Sequence, residues 1–236
     1  MVGKMDSVGV TEVANHLDIN KTSVHKILSD FCDYGYIYRN PQNSKYELGP
    51  KFIEIGNLML NTMDIRDVAT PYMEKLCIHT GETINLMDRN GCDGRYLQVI
   101  ESSHSIKISV LTGTLEQLHA TAAGKVILSD LKKEEIEKII TTKGLPPKTK
   151  YTITEPQKLY EVLDEVKENG YAVDNQESNI GAICIASPIY EANGRVQAAI
   201  SITGLLFRTS LEELKQYLDV LNETTMKISK IYGYCD

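Results

Sequence analysis

The sequence predicts an α+β fold in two parts, a small N-terminal unit of two helices and a hairpin followed by a larger domain of antiparallel strands with helices packed on them. Three observations lead there. Residues 10–48 read helix, short turn, helix, hairpin, the order of a winged helix-turn-helix. Gly49-Pro50 then breaks the chain ahead of one stretch with an apolar stripe at helical spacing. Far downstream, residues 171–204 read as a short strand, a polar loop and two long strands joined at Ala192-Asn193-Gly194, where Asn-Gly supplies the positive backbone angles of a hairpin turn.

In the first part, Thr11 is placed to cap a helix over Glu12–Leu17, with Val13, Ala14 and Leu17 on its apolar face. Asp18-Ile19-Asn20 turns the chain, and Asn20 caps a second helix from Lys21 to about Tyr34. Val24, Ile27, Leu28 and Phe31 recur there at threes and fours, and Gly35 ends the helix. Tyr36–Arg39 and Lys45–Leu48 form the hairpin around the polar turn Asn40–Ser44. The outer face of the second helix begins Lys21-Thr22-Ser23 and continues with His25 and Lys26. Small hydroxyls and cations at the start of such a helix suit entry into a major groove; an ordinary solvated face has the same composition. Residues 20–51 carry five cations against three acids, so any nucleic-acid footprint is local.

Lys51–Met63 is expected as a connecting helix, with Phe52, Ile53, Ile55, Leu58 and Met59 as its packing stripe. The larger domain starts after Asp64. A helix is expected over Arg66–His79, then strands at Thr83–Asp88, Tyr96–Ile100 and Lys107–Leu111. Thr121 is the expected cap of a helix reaching Asp130, followed by a helix over Lys132–Ile140. Thr154 with Gln157 reads as a capping box for a helix to Glu168, stopped by Asn169-Gly170. Strands follow at about Ala182–Tyr190 and Arg195–Thr203. Ser210 with Glu213 caps one last helix, whose buried stripe includes Leu211, Leu214, Leu218, Leu221, Ile228 and Ile231.

The final strand alternates. Val196, Ala198, Ile200 and Ile202 lie on one face; Gln197, Ala199, Ser201 and Thr203 lie on the other. That second face carries small and hydroxylated side chains rather than charges, which suits the wall of a small polar cavity into which Asp174 and Cys184 can also point.

Composition narrows the class. The chain has 236 residues, a net charge of −7 and a pI near 5.3, which favours solubility and argues against wholesale attraction to nucleic acid. Five cysteines, at 32, 77, 92, 184 and 235, are odd in number and scattered without a CxxC pair. Neither a disulfide framework nor a structural zinc site is expected, no cofactor is implied, and a reducing cytoplasm is the natural compartment. No signal peptide or apolar run near 18 residues is present, so no membrane partner is expected.

Several stretches together resemble the IclR family of bacterial transcription regulators. They are VTEVANHLDINKTSVHKILSDFCDYGYI, the wing ending KYELGPKFIEIG, the segment LHATAAGK and the run DNQESNIGAICIASPIYEANGRVQAAISITG. The resemblance covers nearly the whole chain. It implies a winged helix-turn-helix over residues 1–50, a linker helix over 51–64 and a GAF-like effector-binding and oligomerisation domain over 65–236, assembled as homodimers or homotetramers. The implied partners are double-stranded operator DNA and a small organic-acid effector. Lys21, Thr22, Ser23, His25, Lys26 and Lys45 would meet the DNA. Ala122, Ala123, Asp174, Cys184, Ser201 and Thr203 would line the effector pocket, in agreement with the hydroxyl face read from the strand pattern. Family members carry another amphipathic helix before the segment matched by Val10–Leu17; the nine residues ahead of Val10 have no helical period.

In such a pocket Ala122, Ala123 and Gly124 leave backbone N–H groups open at a helix start, where the dipole favours a carboxylate. Ser201 and Thr203 can donate to its other oxygens, and Asp174 would favour a ligand hydroxyl. The plainer alternative is that small residues only permit close helix–sheet packing. Lys125 is either an anion ligand or a solvent-facing residue. Cys184 is either a thiol nucleophile paired with His119 or an inert strand residue. A sensor with impaired DNA binding and a thiol-dependent hydrolase are therefore the alternatives to a DNA-binding regulator, and a metal held by Asp174, Cys184 and His119 has no ligand spacing to support it.

Overall fold

The computed structural model describes residues 7–235. The chain divides between Met63 and Asp64 into two compact units.

The N-terminal unit opens with α1 (Val10–Leu17) and α2 (Lys21–Asp33). Its helix starts are set by caps. Glu12 reaches back to the Gly9 N–H at 2.9 Å, so α1 begins at Val10, ahead of the expected Thr11 cap. Asn20 accepts from the Ser23 N–H at 2.8 Å, as its position predicts. Beyond α2, Gly35 has φ +75 and turns the chain into β1 (Ile37–Arg39) and β2 (Tyr46–Leu48), an antiparallel pair. Val8, Ala14, Val24, Leu28, Ile37 and Tyr46 form the unit's core, with Val8 bridged to Tyr46. The unit closes with α3 (Lys51–Thr62). The expectation about a helix ahead of Val10 falls largely on residues 1–6, which lie outside the described residues.

The C-terminal unit contains one antiparallel sheet. Its strands are β3 (Thr83–Asn90), β4 (Asp93–Ile100), β5 (Leu115–Gln117), β6 (Ala172–Asn175), β7 (Ala182–Tyr190) and β8 (Val196–Leu205), in the order β5-β4-β3-β8-β7-β6. One face carries Ile84, Leu86, Ile185, Ile200 and Ile202 in cross-strand register. It is covered by α4 (Ile65–Thr80) and α9 (Leu218–Ile231): Gln98 donates to Thr70 of α4, and Ser187 to Asn222 of α9. The opposite face carries Met87, Cys184, Ala186 and Ala199, and packs against α5 (Ala122–Ser129). Behind α5 stand α6 (Lys133–Lys143) and α7 (Pro156–Asn169), whose Ile136, Ile139, Leu159 and Leu163 complete that core.

Four expectations are corrected. No strand forms over 107–111; the edge of β4 is taken by Leu115–Gln117, with Tyr96 and Gly113 bonded across the return, so pairing geometry outweighs local β propensity. α7 is not opened by a Thr154 box: Glu155 is the cap residue and Pro156 takes the first position, where its missing N–H costs nothing. The last helix is two, α8 (Leu211–Lys215), with the predicted Ser210–Glu213 box, and α9 after a break at Gln216-Tyr217. In the β7–β8 turn only Gly194 adopts positive φ, at +81, while β7 shifts register between Ile189 and Tyr190.

Candidate functional site

Two regions draw attention. The first is the start of α5 over the sheet. A tight turn at Leu118–Ala120 delivers the chain to Thr121, whose hydroxyl accepts from the Gly124 N–H at 3.0 Å and sets the helix start. Gly124 is needed for this: a Cβ there would meet the Leu118 carbonyl oxygen at 2.2 Å. The N–H groups of Ala122 and Ala123 have no partner among the described hydrogen bonds, and both residues are buried against the sheet.

Under α5 the register assembles the hydroxyl face. Cys184 and Thr203 are direct cross-strand partners, as are Asp174 and Cys184, and Asn85 and Ser201. The side chains close on one another. Asn85 Nδ2 donates to Thr203 Oγ1 at 3.0 Å and to Ser201 Oγ at 3.4 Å, and Thr203 Oγ1 lies 3.3 Å from Cys184 Sγ. So Ser201, Thr203 and Cys184 share one face with Ala122 and Ala123 above it. The sequence reading missed Asn85, an isolated amide in an apolar strand whose partners lie 116 and 118 residues away. It also left out Tyr96, opposite Met87 on the same face, whose phenol is pushed up by burial first and then by Cys184, Glu116 and Asp174. That phenol stays protonated at neutral pH.

Asp174 departs from its expected role. It is fully buried, and both oxygens are occupied: Oδ1 accepts from the Glu177 N–H at 2.7 Å, and Oδ2 from the Ser178 hydroxyl at 2.6 Å. Burial raises its pKa, opposed chiefly by the Ser178 bond. It holds the loop after β6 through both oxygens. Lys125 departs too. It does not face solvent; only 1% of it is exposed, and Nζ reaches Glu177 Oε1 at 2.5 Å. Burial pushes Glu177 up, with Lys125 the main opposing influence. Lys125 is thus an internal strut between α5 and the loop that Asp174 holds.

The thiol alternative has no geometry behind it. Burial pushes the Cys184 thiol far up, and the neighbouring Asp174 charge adds to that, so no thiolate forms near neutral pH. His119 is turned to the Pro146 carbonyl at 3.3 Å, and burial lowers its pKa. Among the described residues no three His, Cys, Asp or Glu side chains converge to hold a metal.

The second region is α2. Val24 and Leu28 face the core, while Lys21, Thr22, Ser23, His25 and Lys26 are all exposed on the other side. None of their side chains has an ion-pair or hydrogen-bond partner among those described. Lys45, on the hairpin, differs: it is paired with Glu12 of α1 at 3.0 Å, and the Glu12 carboxyl is held below its ordinary range by the Gly9 N–H and by Lys45.

Residues 57–230 match the family described as bacterial transcriptional regulator IclR C-terminal. The chain is 32% identical to the HTH-type transcriptional regulator KdgR of Escherichia coli strain K12 over 235 residues, covering 100% of this chain and 89% of that one. It is 32% identical to the HTH-type transcriptional regulator KipR of Bacillus subtilis strain 168 over 228 residues, covering 97% and 91%. The crystal structure of the Thermotoga maritima IclR superposes with a TM-score of 0.69 at 33% identity, covering 99% of this chain and 94% of that one. No described helix is long and apolar enough to cross a membrane.

Proposed function

The chain belongs to the IclR family of bacterial transcriptional regulators and is not an enzyme; from that premise we propose how this regulator works. A small organic acid seats its carboxylate on the open N–H groups of Ala122 and Ala123, where the α5 dipole favours negative charge, and Ser201 and Thr203 hold its remaining oxygens. The observation that carries this reading is the capped start of α5, with two unpartnered buried N–H groups, set over a strand face of hydroxyls. Cys184 acts as an apolar wall and Asp174 as the clamp of the adjoining loop. The C-terminal unit is read as a GAF-like domain.

The N-terminal unit is read as a winged helix-turn-helix that puts α2 into the major groove of operator DNA. Lys21 and Lys26 meet phosphates while Thr22, Ser23 and His25 reach toward base edges. Lys45 is a lesser contact, because phosphate binding must displace Glu12. The working form is a cytoplasmic homodimer or homotetramer controlling a catabolic operon, its DNA affinity shifted by the effector through the difference in effector affinity between two states.

Calorimetry with a panel of small carboxylates on the parent and on Ala122→Leu, together with gel-shift titration on DNA from the protein's own promoter region, tests the proposal. Loss of acid binding in Ala122→Leu with DNA binding retained is the expected result. Equal acid binding by both proteins removes the α5 site. Failure of the parent to shift any promoter fragment removes the DNA assignment.

A further inference from the structure

On this face the side-chain oxygens of Asn85 and Gln197 are buried without a partner, and of the two it is Asn85 that bonds the hydroxyls of Ser201 and Thr203. An amide side chain carries two N–H donors and a carbonyl acceptor. Here Nδ2 serves Thr203 at 3.0 Å and Ser201 at 3.4 Å, while Oδ1 is buried with no partner. The residue is 4% exposed, third in β3, and its cross-strand partner is Ser201 on the face that α5 covers. A buried acceptor left unpaired is costly, so native proteins rarely keep one without a reason.

The other polar groups of this face do not supply the missing donor. The Thr203 oxygen already accepts from Asn85 and is engaged with Cys184 Sγ. The oxygens of Asp174 accept from the loop of Glu177 and Ser178, and no described hydrogen bond joins Asp174 to Asn85. The N–H groups of Ala122 and Ala123 are donors suited to an anion. A plain carboxylate would satisfy these donors and leave Asn85 Oδ1 as it stands. A ligand that presents both an anion and a hydroxyl would satisfy both sides of the site.

We infer that Asn85 is a specificity-determining residue of this pocket, its Oδ1 accepting a hydrogen bond from a hydroxyl of the effector, so that the effector class is hydroxy acids rather than unsubstituted carboxylates. This rests on the pocket reading given above and adds to it a residue from β3 and a direction for one hydrogen bond. Discrimination follows from the asymmetry of buried hydrogen bonding: the acid lacking the hydroxyl must leave a desolvated acceptor unpaired, whereas a purely apolar wall separates the two acids weakly.

The test uses the full chain and matched pairs of probes: glycolate with acetate, lactate with propionate, and gluconate with hexanoate. Affinities come from calorimetry, with thermal unfolding of each variant as the check on folding. In the parent, the hydroxy acid of at least one pair binds about tenfold or more tightly than its partner. In Asn85→Leu, with the same branching but no acceptor, that ratio falls to about one. In Asn85→Asp, which keeps an oxygen acceptor, both affinities drop through repulsion of the carboxylate while the preference for the hydroxy acid returns. Equal binding of both members of every pair that binds, or a ratio unchanged in Asn85→Leu, overturns the role of Asn85 and leaves the carboxylate site standing. Absence of binding by every acid overturns the carboxylate site and this inference with it.

Discussion

The starts of α2 and α5 are alike in sequence and opposite in use. Each is capped by a side-chain oxygen, Asn20 taking the Ser23 N–H and Thr121 the Gly124 N–H, and each carries a lysine in or beside its first turn. Lys21 is exposed among other exposed polar residues, whereas Lys125 is buried and tied to Glu177. Apart from the Ser23 N–H that Asn20 takes, the polar groups at the start of α2 are exposed, so its residues are free to meet a large charged partner. At the start of α5 each polar group is satisfied internally or awaits something small enough to enter. Cap and charge alone do not distinguish the surface proposed to meet DNA from the site proposed to take a metabolite; burial does.

The sharpest way to break this comparison is to remove the two lysines in turn. Lys125→Met leaves Glu177 buried and unpaired and is expected to cost about 3–5 kcal/mol, read by urea or thermal unfolding. Pairing it with Glu177→Met should recover a large part of that loss, since a buried ion pair replaced by apolar groups is often close to neutral. Lys21→Met should stay within about 0.5 kcal/mol of the parent. A loss at Lys21 as large as that at Lys125 would erase the distinction.

Ligand affinity comes next. Ser201→Ala removes one hydroxyl from the strand face and is expected to weaken binding of the identified effector by about 1–3 kcal/mol, roughly 5- to 150-fold, in calorimetry. An unchanged affinity would mean that the hydroxyl serves only packing. On the DNA side the expected effect is smaller and shows in salt dependence. Lys26→Ala should flatten the log–log salt slope by about 0.9, one phosphate's share, and Lys45→Ala by less because Glu12 already neutralises it. A larger change at Lys45 would show that the wing, not α2, carries the phosphate contacts.

The smallest effect is electrostatic. Burial lowers the folded-state pKa of His119 beneath its ordinary value of 6.5, so the unfolded chain binds a proton more readily. The stability this group contributes is complete above about pH 6.5 and is lost as pH falls below it toward the depressed folded value. Protonation is disfavoured also by Lys125 and Lys148 and favoured by the Pro146 carbonyl and Glu116. His119→Gln should flatten the fall in Tm on acidification through that window; an unchanged pH profile would assign the acid sensitivity to other groups.

Elements set by local signals were legible in the chain. Thr121, Asn20 and Ser210 cap the helices they were expected to cap, and the alternation of β8 placed Ser201 and Thr203 together. What escaped was decided by partners distant in sequence. Asn85 finds its hydroxyls more than a hundred residues away, and Lys125 meets Glu177 52 residues on. Asp174 lies on the expected strand, but its oxygens go to the Glu177 N–H and the Ser178 hydroxyl of the loop that follows, which strand periodicity does not reveal. The segment 107–111 has the composition of a strand, and only the neighbouring backbone decides that Leu115–Gln117 pairs instead.

Gly124 has a mechanical consequence. A methyl group there would collide with the Leu118 carbonyl oxygen and with Leu118 Cα, which means that the first turn of α5 rests backbone against backbone on the turn before it. The Thr121 hydroxyl lies against the same spot and accepts the Gly124 N–H, so the joint closes around the glycine on three sides. The turn carries His119 on the Pro146 carbonyl and the helix carries Lys125 on Glu177, so this one joint ties two loops to the start of α5.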